Sequence, residues 1–297
     1  MGLKDKEILC SGYGFVGQHL VRYLVSQGAK VTVMDRNMSH TQTMPEEVKT
    51  IKGDIRHLTG DYSFDHVFHT AGVANVGYSE ANPIQTFEDN VVTTLQLLKH
   101  IKIRERLVFT SSATVYGIST TPHEEDEQLS PISTYGLSKQ VAEDVVKHFA
   151  RLTGFEYTIV RFFNIYGEGQ TKNFLIPQLI DEIRKKNEIN LWNTTTIRDY
   201  IYIKDVVEGI SNLALNKFAA NQIVNIGSGT RTTSGEMAET IIRIFGNKAR
   251  LNVKNIEQKG SHQVLVADME KANGLDFKAK TSLEDGLRET IDAMRTE

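Results

Sequence analysis

Three glycines, Gly12, Gly14 and Gly17, stand in the segment Ser11-Gly12-Tyr13-Gly14-Phe15-Val16-Gly17 with the spacing G-x-G-x-x-G. An apolar run, Glu7 to Cys10, precedes them and a helical pattern follows. In that context the missing Cβ atoms let the backbone come close to a pyrophosphate, whose charge then faces a helix N-terminus. Asp35 ends the second apolar run, 18 residues beyond Gly17. A carboxylate there accepts hydrogen bonds from an adenosine ribose. Together these features predict a dinucleotide site, and Asp35 argues for NAD because it would repel a 2′-phosphate. Arg36 could instead pair with such a phosphate; a solvated surface arginine is the preferred reading. Asp54, in Gly53-Asp54-Ile55, either reaches the adenine amino group or caps its loop.

A second cluster suits acid–base work. Tyr135 and Lys139, in Tyr135-Gly136-Leu137-Ser138-Lys139, are four apart and share a face of a helix. A free phenol titrates near pH 10 and is a poor base at neutral pH. A nearby ammonium favours the phenolate, as does the positive charge of an oxidised nicotinamide. Bringing the phenol to neutral pH takes roughly 4 kcal/mol of differential stabilisation. Such a tyrosine takes a proton from an alcohol while hydride leaves the same carbon. Ser112, at the end of the run Leu107 to Ser112, can hydrogen-bond that alcohol and hold it in line.

These groups need a scaffold, and the sequence predicts one. Strand patterns occur at Glu7–Cys10, Lys30–Met34, Val48–Lys52, His66–Thr70, Leu107–Thr110 and Tyr157–Phe163. Helical patterns lie between them: Val16, Leu20, Tyr23 and Leu24 share one face, and further helices run over Pro83–Lys102 and Tyr135–Leu152. This β-α alternation predicts an α/β fold, a Rossmann-type doubly wound parallel sheet with helices on both faces. Ser112 then falls at a strand's carboxyl end, where open α/β sheets bind ligands. Beyond Asn164 the pattern is more broken. Short strands at Tyr200–Ile203 and Ile223–Ile226 precede a terminal helix with the apolar stripe Leu283, Leu287, Ile291 and Met294. The expected organisation is an NAD-binding domain over 1–165 and a smaller C-terminal α/β substrate lobe over 166–297, with a soft boundary across which segments can interleave.

Composition fits this picture. The formal net charge is −3 and 24% of residues are charged, which argues against nucleic acid or an anionic membrane as the main partner. No apolar run approaches the roughly 18 residues that span a bilayer. The start, Met1 to Glu7, lacks a secretory pattern, and Lys6 stands where a myristoylation signal wants Ser or Thr. The single cysteine, Cys10, fits a reducing compartment, so a cytoplasmic protein is expected. His66 and His69 are three apart in a strand and point to opposite faces, so no zinc site is expected. The acidic run Glu124–Glu127 reads as a solvated loop, and Trp192 as either a base-stacking ring or a core anchor.

As a set, these segments resemble the extended short-chain dehydrogenases/reductases, in the sugar-nucleotide epimerase/dehydratase family and its UDP-glucose 4-epimerase-like branch. The resemblance runs nearly end to end. It rests on Gly12–Gly17, His69-Thr70-Ala71-Gly72, Asn82-Pro83 with Asn90, Ser111–Gly117 and Tyr135–Lys139. It continues through Arg161–Gly167, Arg198-Asp199-Tyr200-Ile201 and Asn225–Gly229. The resemblance implies that Tyr135 is the acid/base, that Lys139 holds the ribose and tunes Tyr135, and that Ser112 orients the sugar hydroxyl. It places cofactor contacts at Tyr13, Phe15, Val16, Ile55, Ala71, Gly72, Asn90 and Phe162. Substrate contacts fall at Phe163, beside the nicotinamide, and at Asn164 and Arg198, which would hold a diphosphate. The plain alternatives are a helix-interior polar residue for Asn90 and a salt bridge to Asp199 for Arg198. A homodimer through the Pro83 and Tyr135 helices is also implied.

Thr114-Val115 bears on the reaction. Dehydratases of this family usually carry Asp-Glu there and decarboxylating members a Glu at the first position; Ser-Ala-Thr-Val-Tyr-Gly is similar to the 4-epimerases. Three departures stand out. Ser11 replaces the first glycine of the usual G-x-x-G-x-x-G; Trp192–Ile197 replaces a glycine-rich turn; and Gln258-Lys259-Gly260-Ser261 replaces an Arg-Pro-Gly-Asp-like phosphate contact, with Lys259 a point charge rather than a fork. The expected activity is NAD-dependent 4-epimerisation of a nucleotide sugar. The alternatives are a reductase or dehydrogenase of a 4-keto sugar nucleotide and a non-catalytic NAD(P) sensor.

Overall fold

The computed structural model describes residues 2–38, 44–246, 249–254 and 264–294. The first half alternates β1 (Glu7–Ser11), α1 (Phe15–Ser26), β2 (Lys30–Asp35), β3 (Lys49–Lys52) and β4 (Tyr62–His69). Next come α2 (Val76–Ala81), α3 (Pro83–Phe87), a π-helical turn (Glu88–Val92) and α4 (Thr93–His100). Then β5 (Ile101–Ser112), α5 (Thr134–Thr153) and β6 (Glu156–Phe162) follow. The second half runs through β7 (Asn164–Tyr166), α6 (Leu175–Lys186), β8 (Glu188–Leu191), β9 (Ile197–Arg198), β10 (Tyr200–Tyr202) and α7 (Ile203–Leu215). It ends with β11 (Gln222–Ile226), β12 (Thr232–Thr233), α8 (Ser234–Ile244), β13 (Arg250–Val253), β14 (Val264–Leu265), α9 (Glu270–Gly274) and α10 (Leu283–Ala293).

Seven strands form one sheet in the order β3-β2-β1-β4-β5-β6-β11, each neighbouring pair parallel. A strand from the second half therefore completes the sheet built by the first. Alternation along β1 shows why both faces must be covered. Ile8 and Cys10 pack with Leu20 and Leu24 of α1 and Val206 and Ile210 of α7. Leu9 packs on the other face with Leu97 of α4 and Ala142 and Val146 of α5. Burying each large aliphatic side chain contributes about 1.5–3 kcal/mol. Strand order reverses between β1 and β4, and the loops leaving their carboxyl ends part there to open a crevice.

Two boundaries differ from expectation. The helix from Pro83 stops at His100 rather than Lys102, because Ile101 and Ile103 are buried around an exposed Lys102 and that two-residue period belongs to β5. The same helix carries the π turn, which sequence periodicity does not reveal. The terminal helix forms as expected, with Leu287 and Ile291 buried.

Beneath the crevice a buried polar chain joins three elements. Ser11 Oγ lies 2.6 Å from His69 Nδ1, and His69 Nε2 lies 3.0 Å from Thr94 Oγ1. The Thr94 hydroxyl donates to the Asn90 carbonyl at 2.7 Å. Thr94 therefore accepts from Nε2–H and Ser11 donates to Nδ1, which assigns the neutral Nε2–H tautomer. Burial, with Lys139 nearby, pushes the imidazole down to about 3 from 6.5. Serine at position 11 thus supplies a hydrogen bond that glycine cannot. Ser11→Gly should lower the unfolding free energy by about 1–3 kcal/mol, read from urea denaturation, because it orphans a buried ring nitrogen. A neutral His69 contributes stability that is fully present above pH 6.5 and lost as pH falls toward 3. The denaturation midpoint should drop across that window, and less so in His69→Asn; equal slopes in the two proteins would contradict the assignment.

Candidate active site

The glycine turn closes over the crevice for steric reasons. Gly12 has φ +95°, and a Cβ there would lie 2.5 Å from the Ala71 nitrogen. A Cβ on Gly17 would lie 2.0 Å from the Gly12 carbonyl oxygen, so only glycine lets α1 pack this close to the turn. Gly14 faces open space and N-caps α1 without a side-chain hydrogen bond, and the first turn of α1 carries no acid. Its N-terminal N–H groups and helix dipole suit an anion. The Tyr13 N–H donates to Asp35 Oδ2 at 2.6 Å, and the Asn37 N–H donates to Asp35 Oδ1 at 2.7 Å. This holds the carboxylate at the end of β2 with lone pairs to spare.

A cleft of about 300 Å³ brings Gly12, Gly14, Asp35 and Arg36 together with Asp54, Ile55, Ala71 and Gly72. Asp54 caps the turn Ile55–His57 by accepting the Arg56 N–H at 3.0 Å. Its ion pair with Arg56 at 2.6 Å holds the carboxyl down at about 2. Arg36 is exposed, as a surface arginine would be, and its guanidinium also forks onto Asp89 at 2.9 and 3.3 Å. Tyr13 is buried, while Phe15 and Val16 line the next cleft. Asn90 lines neither cleft. Its Oδ1 accepts the Val73 N–H at 2.8 Å and its amide donates to Ser138 Oγ at 2.8 Å, so it fixes the Gly72–Val73 loop to α5. These residues fit a dinucleotide: a backbone cradle for phosphate, a carboxylate for ribose and a crevice leading onward.

The second cleft, about 420 Å³, shares Thr70 and Gly72 with the first and holds Ser112, Tyr135, Lys139, Phe162, Phe163 and Asn164. Ser133 caps α5 by accepting the Gly136 N–H at 3.0 Å, which sets Tyr135 in the first turn and Lys139 one turn on. Ser112 Oγ accepts from the Thr114 N–H at 3.2 Å and the Thr114 hydroxyl at 3.0 Å, leaving its own proton to donate elsewhere. Lys139 Nζ donates to the Thr110 carbonyl at 2.9 Å and lies 5.2 Å from the Phe109 ring centroid. Burial raises the Tyr135 pKa, and a hydrogen bond with Ser112 pulls it the other way. Burial also lowers Lys139 to about 8, with Glu143 opposing. The expected acidification of Tyr135 by Lys139 is therefore not supplied by the protein alone. Desolvation dominates at both groups, and the ammonium is turned toward Thr110.

Sequence reasoning missed Glu143 and Arg161 beneath this cleft. Glu143 is fully buried, accepts the Ser111 hydroxyl at 2.5 Å, and takes a fork from Arg161 at 3.0 and 2.8 Å. A carboxylate one turn past Lys139 on the buried stripe of α5 was the available signal. The acidic run is not simply solvated either: Glu125 accepts the Asn225 N–H at 2.8 Å and Glu127 pairs with His123.

A third cleft, about 370 Å³, shares Asn164, Ile165, Gln170 and Phe174 with the second and adds Trp192, Arg198 and Tyr200. The Asp199 carboxylate accepts the Ser228 N–H and hydroxyl, both at 2.7 Å, and the N–H groups of Gly229 and Ala267 at 2.9 and 3.2 Å. It is thus not the partner of Arg198, whose Nη1 donates to the Ile197 carbonyl at 2.8 Å. Trp192 is 57% exposed, which excludes the core-anchor reading; Lys254 Nζ sits 4.4 Å from its ring. Lys259, with Gln258, Gly260 and Ser261, lies outside the described residues. Among the described residues no group of three His, Cys, Asp or Glu could hold a metal, and no helix is long and apolar enough to cross a membrane.

Comparison with known proteins agrees with this geometry. The model of the NAD dependent epimerase/dehydratase family matches residues 8–227. A Methanocaldococcus jannaschii protein provisionally named UDP-glucose 4-epimerase is 30% identical, over 97% of this chain and 98% of its own length. The solved UDP-N-acetylglucosamine 4-epimerase from Methanobrevibacter ruminantium, in complex with UDP-N-acetylmuramic acid, superposes with a TM-score of 0.89 at 27% identity, over 99% of each chain. The Thermus thermophilus UDP-glucose 4-epimerase in complex with NAD gives a TM-score of 0.84 at 26% identity, over 97% of this chain and 99% of that one. The chain therefore belongs to the NAD-dependent epimerase/dehydratase family, as an NAD-dependent epimerase of the extended short-chain dehydrogenase/reductase type.

Proposed function

We propose that this enzyme interconverts the C4 epimers of a UDP-sugar. The observation that carries the reading is one groove through three clefts, with Ser112 and Tyr135 at its centre and the glycine cradle and Arg198 at its ends. Gly12, Tyr13, Gly14, Phe15, Val16 and Gly17 hold the pyrophosphate side of NAD. Asp35, Asp54, Ile55, Ala71 and Gly72 take its adenosine. Phe162 and Lys139 flank its nicotinamide end. Asn164 and Arg198 hold the substrate diphosphate, and Trp192 offers a face to the base. In this assignment residues 1–165 carry the cofactor and 166–297 the substrate, with β11 returning to the sheet.

Bound NAD supplies a hydride acceptor and donor beside sugar C4. The chain does the rest. Ser112, its oxygen already saturated by two donors from Thr114, directs its proton toward the sugar hydroxyl and holds it in line. Tyr135 removes the hydroxyl proton as the C–H bond breaks, and returns it when the sugar presents its other face. Lys139, fixed by Thr110, stands one turn along α5 from Tyr135 and would hold the ribose of the dinucleotide. Thr114 and Val115 offer no carboxylate for water loss, which favours epimerisation over dehydration. A reductase would use the same three residues but would show a net change in nicotinamide absorbance.

Tyr135→Phe should lower kcat by about 10²–10⁴-fold with dinucleotide still bound, followed by NMR at sugar C4 over a panel of UDP-, dTDP-, GDP- and CDP-sugars. Turnover within a few-fold of the parent would overturn the role of Tyr135.

The assembly we propose is a homodimer through α3, α4 and α5. Ile84, on α3, is 77% exposed, and Leu137, on α5, is 44% exposed. Ile84→Lys should convert a dimer to a monomer in light scattering; an unchanged mass would exclude this face. A cytoplasmic, reducing setting suits Cys10, which is buried in β1 with its thiol pushed up by burial.

A further inference from the structure

We propose that Asp89 determines dinucleotide choice by holding Arg36 away from the ribose 2′ position. The inference concerns the cofactor cleft and does not depend on which sugar is turned over. Arg36 follows Asp35 directly and lines the same cleft, so an arginine stands where a 2′-phosphate would need one. It is committed elsewhere. Nη1 donates to Asp89 Oδ1 at 2.9 Å and Nη2 to Oδ2 at 3.3 Å, a two-point pairing of the kind guanidinium also makes with phosphate. Phosphate and Asp89 therefore compete for one fork.

The competitor is well fixed. Asp89 is 5% exposed and belongs to the π turn, whose wider backbone sends two consecutive side chains inward. Asp89 turns to the adenosine cleft, while Asn90 turns to the Gly72–Val73 loop. Gln85 Nε2 also donates to Asp89 Oδ1 at 3.2 Å, and Arg56 Nη1 lies 3.6 Å from the same oxygen. Arg56 itself is anchored on Asp54 and Glu88. Asp54 Oδ2 stands 3.9 Å from Arg36 and adds to the pull. Two arginines thus face three carboxylates, Asp54, Glu88 and Asp89, with Asp35 beyond. Among the described residues, a phosphate arriving here would meet carboxylates and no uncommitted guanidinium. NAD brings hydroxyls instead, which donate to Asp35. Specificity then has two parts: repulsion by Asp35, and withdrawal of Arg36 by a residue over fifty positions away in sequence.

The test is binding, not turnover. Full-length parent, Asp89→Asn, Arg36→Ala and the double variant are freed of copurified dinucleotide and titrated with NAD⁺ and NADP⁺ by calorimetry. Asp89→Asn should tighten NADP⁺ about tenfold and change NAD⁺ by less than about threefold, since one released guanidinium gains a charge-assisted contact. The gain should vanish in the double variant. In the parent background, Arg36→Ala should weaken NADP⁺ by less than about threefold, an arm that needs no change at Asp89. Three results would each overturn the proposal: unchanged NADP⁺ affinity in Asp89→Asn that still binds NAD⁺, a gain that survives loss of Arg36, or about tenfold weaker NADP⁺ binding in Arg36→Ala alone.

Discussion

The proposed chemistry depends on a buried phenol that would have to carry charge. Tyr135 sits at the carboxyl edge of the sheet with Ser112 against it, and burial holds its proton more tightly than water would. Desolvation penalises the anion and does nothing to the neutral form, so the site is at rest with the phenol protonated. The ammonium of Lys139 is close in sequence but bonded to Thr110 and itself weakened by burial. A base that is inert without a neighbouring cation and competent with one is suited to a cofactor whose ring carries positive charge only when oxidised. On the proposed reading, proton removal would be coupled to the presence of a hydride acceptor.

The scaffold sets the candidate residues on regular elements. Ser112 ends β5, Tyr135 and Lys139 open α5, and Phe162 ends β6, so these residues ride on neighbouring regular elements. Glu143, Ser111 and Arg161 brace the same strand ends from below. Removing either charged member, Glu143 or Arg161, leaves an uncompensated buried charge, which costs several kcal/mol. The Ser11–His69–Thr94 chain plays a comparable part under the dinucleotide turn, using only neutral groups.

Much of this was legible in the sequence because it is local. The glycine spacing, the acid after β2, the i, i+4 pair of Tyr135 and Lys139, and the β-α alternation all act over a few residues. What was hidden depends on distant partners. Arg36 reads as a surface residue, which it is, but its fork onto Asp89, brought beside it by the π turn, does not show in the sequence. Asp199 reads as a neighbour for Arg198 until the 227–229 turn and Ala267 claim its oxygens. Trp192 could not be placed by its type alone, since a ring fits a core and a binding face equally well. The helix ending at His100 was misjudged by two residues, since Ile101 continues an apolar pattern that both a helix and a strand accept.

The central claim concerns the proton affinity of one phenol. It is tested most directly by ultraviolet difference spectroscopy near 295 nm between the parent and Tyr135→Phe, titrated with pH in the NAD⁺-loaded and dinucleotide-free protein. The account predicts that Tyr135 of the free protein ionises at higher pH than an ordinary phenol, because burial penalises the anion, and at a distinctly lower pH once NAD⁺ is bound. Ionisation at the same pH in both forms would contradict it.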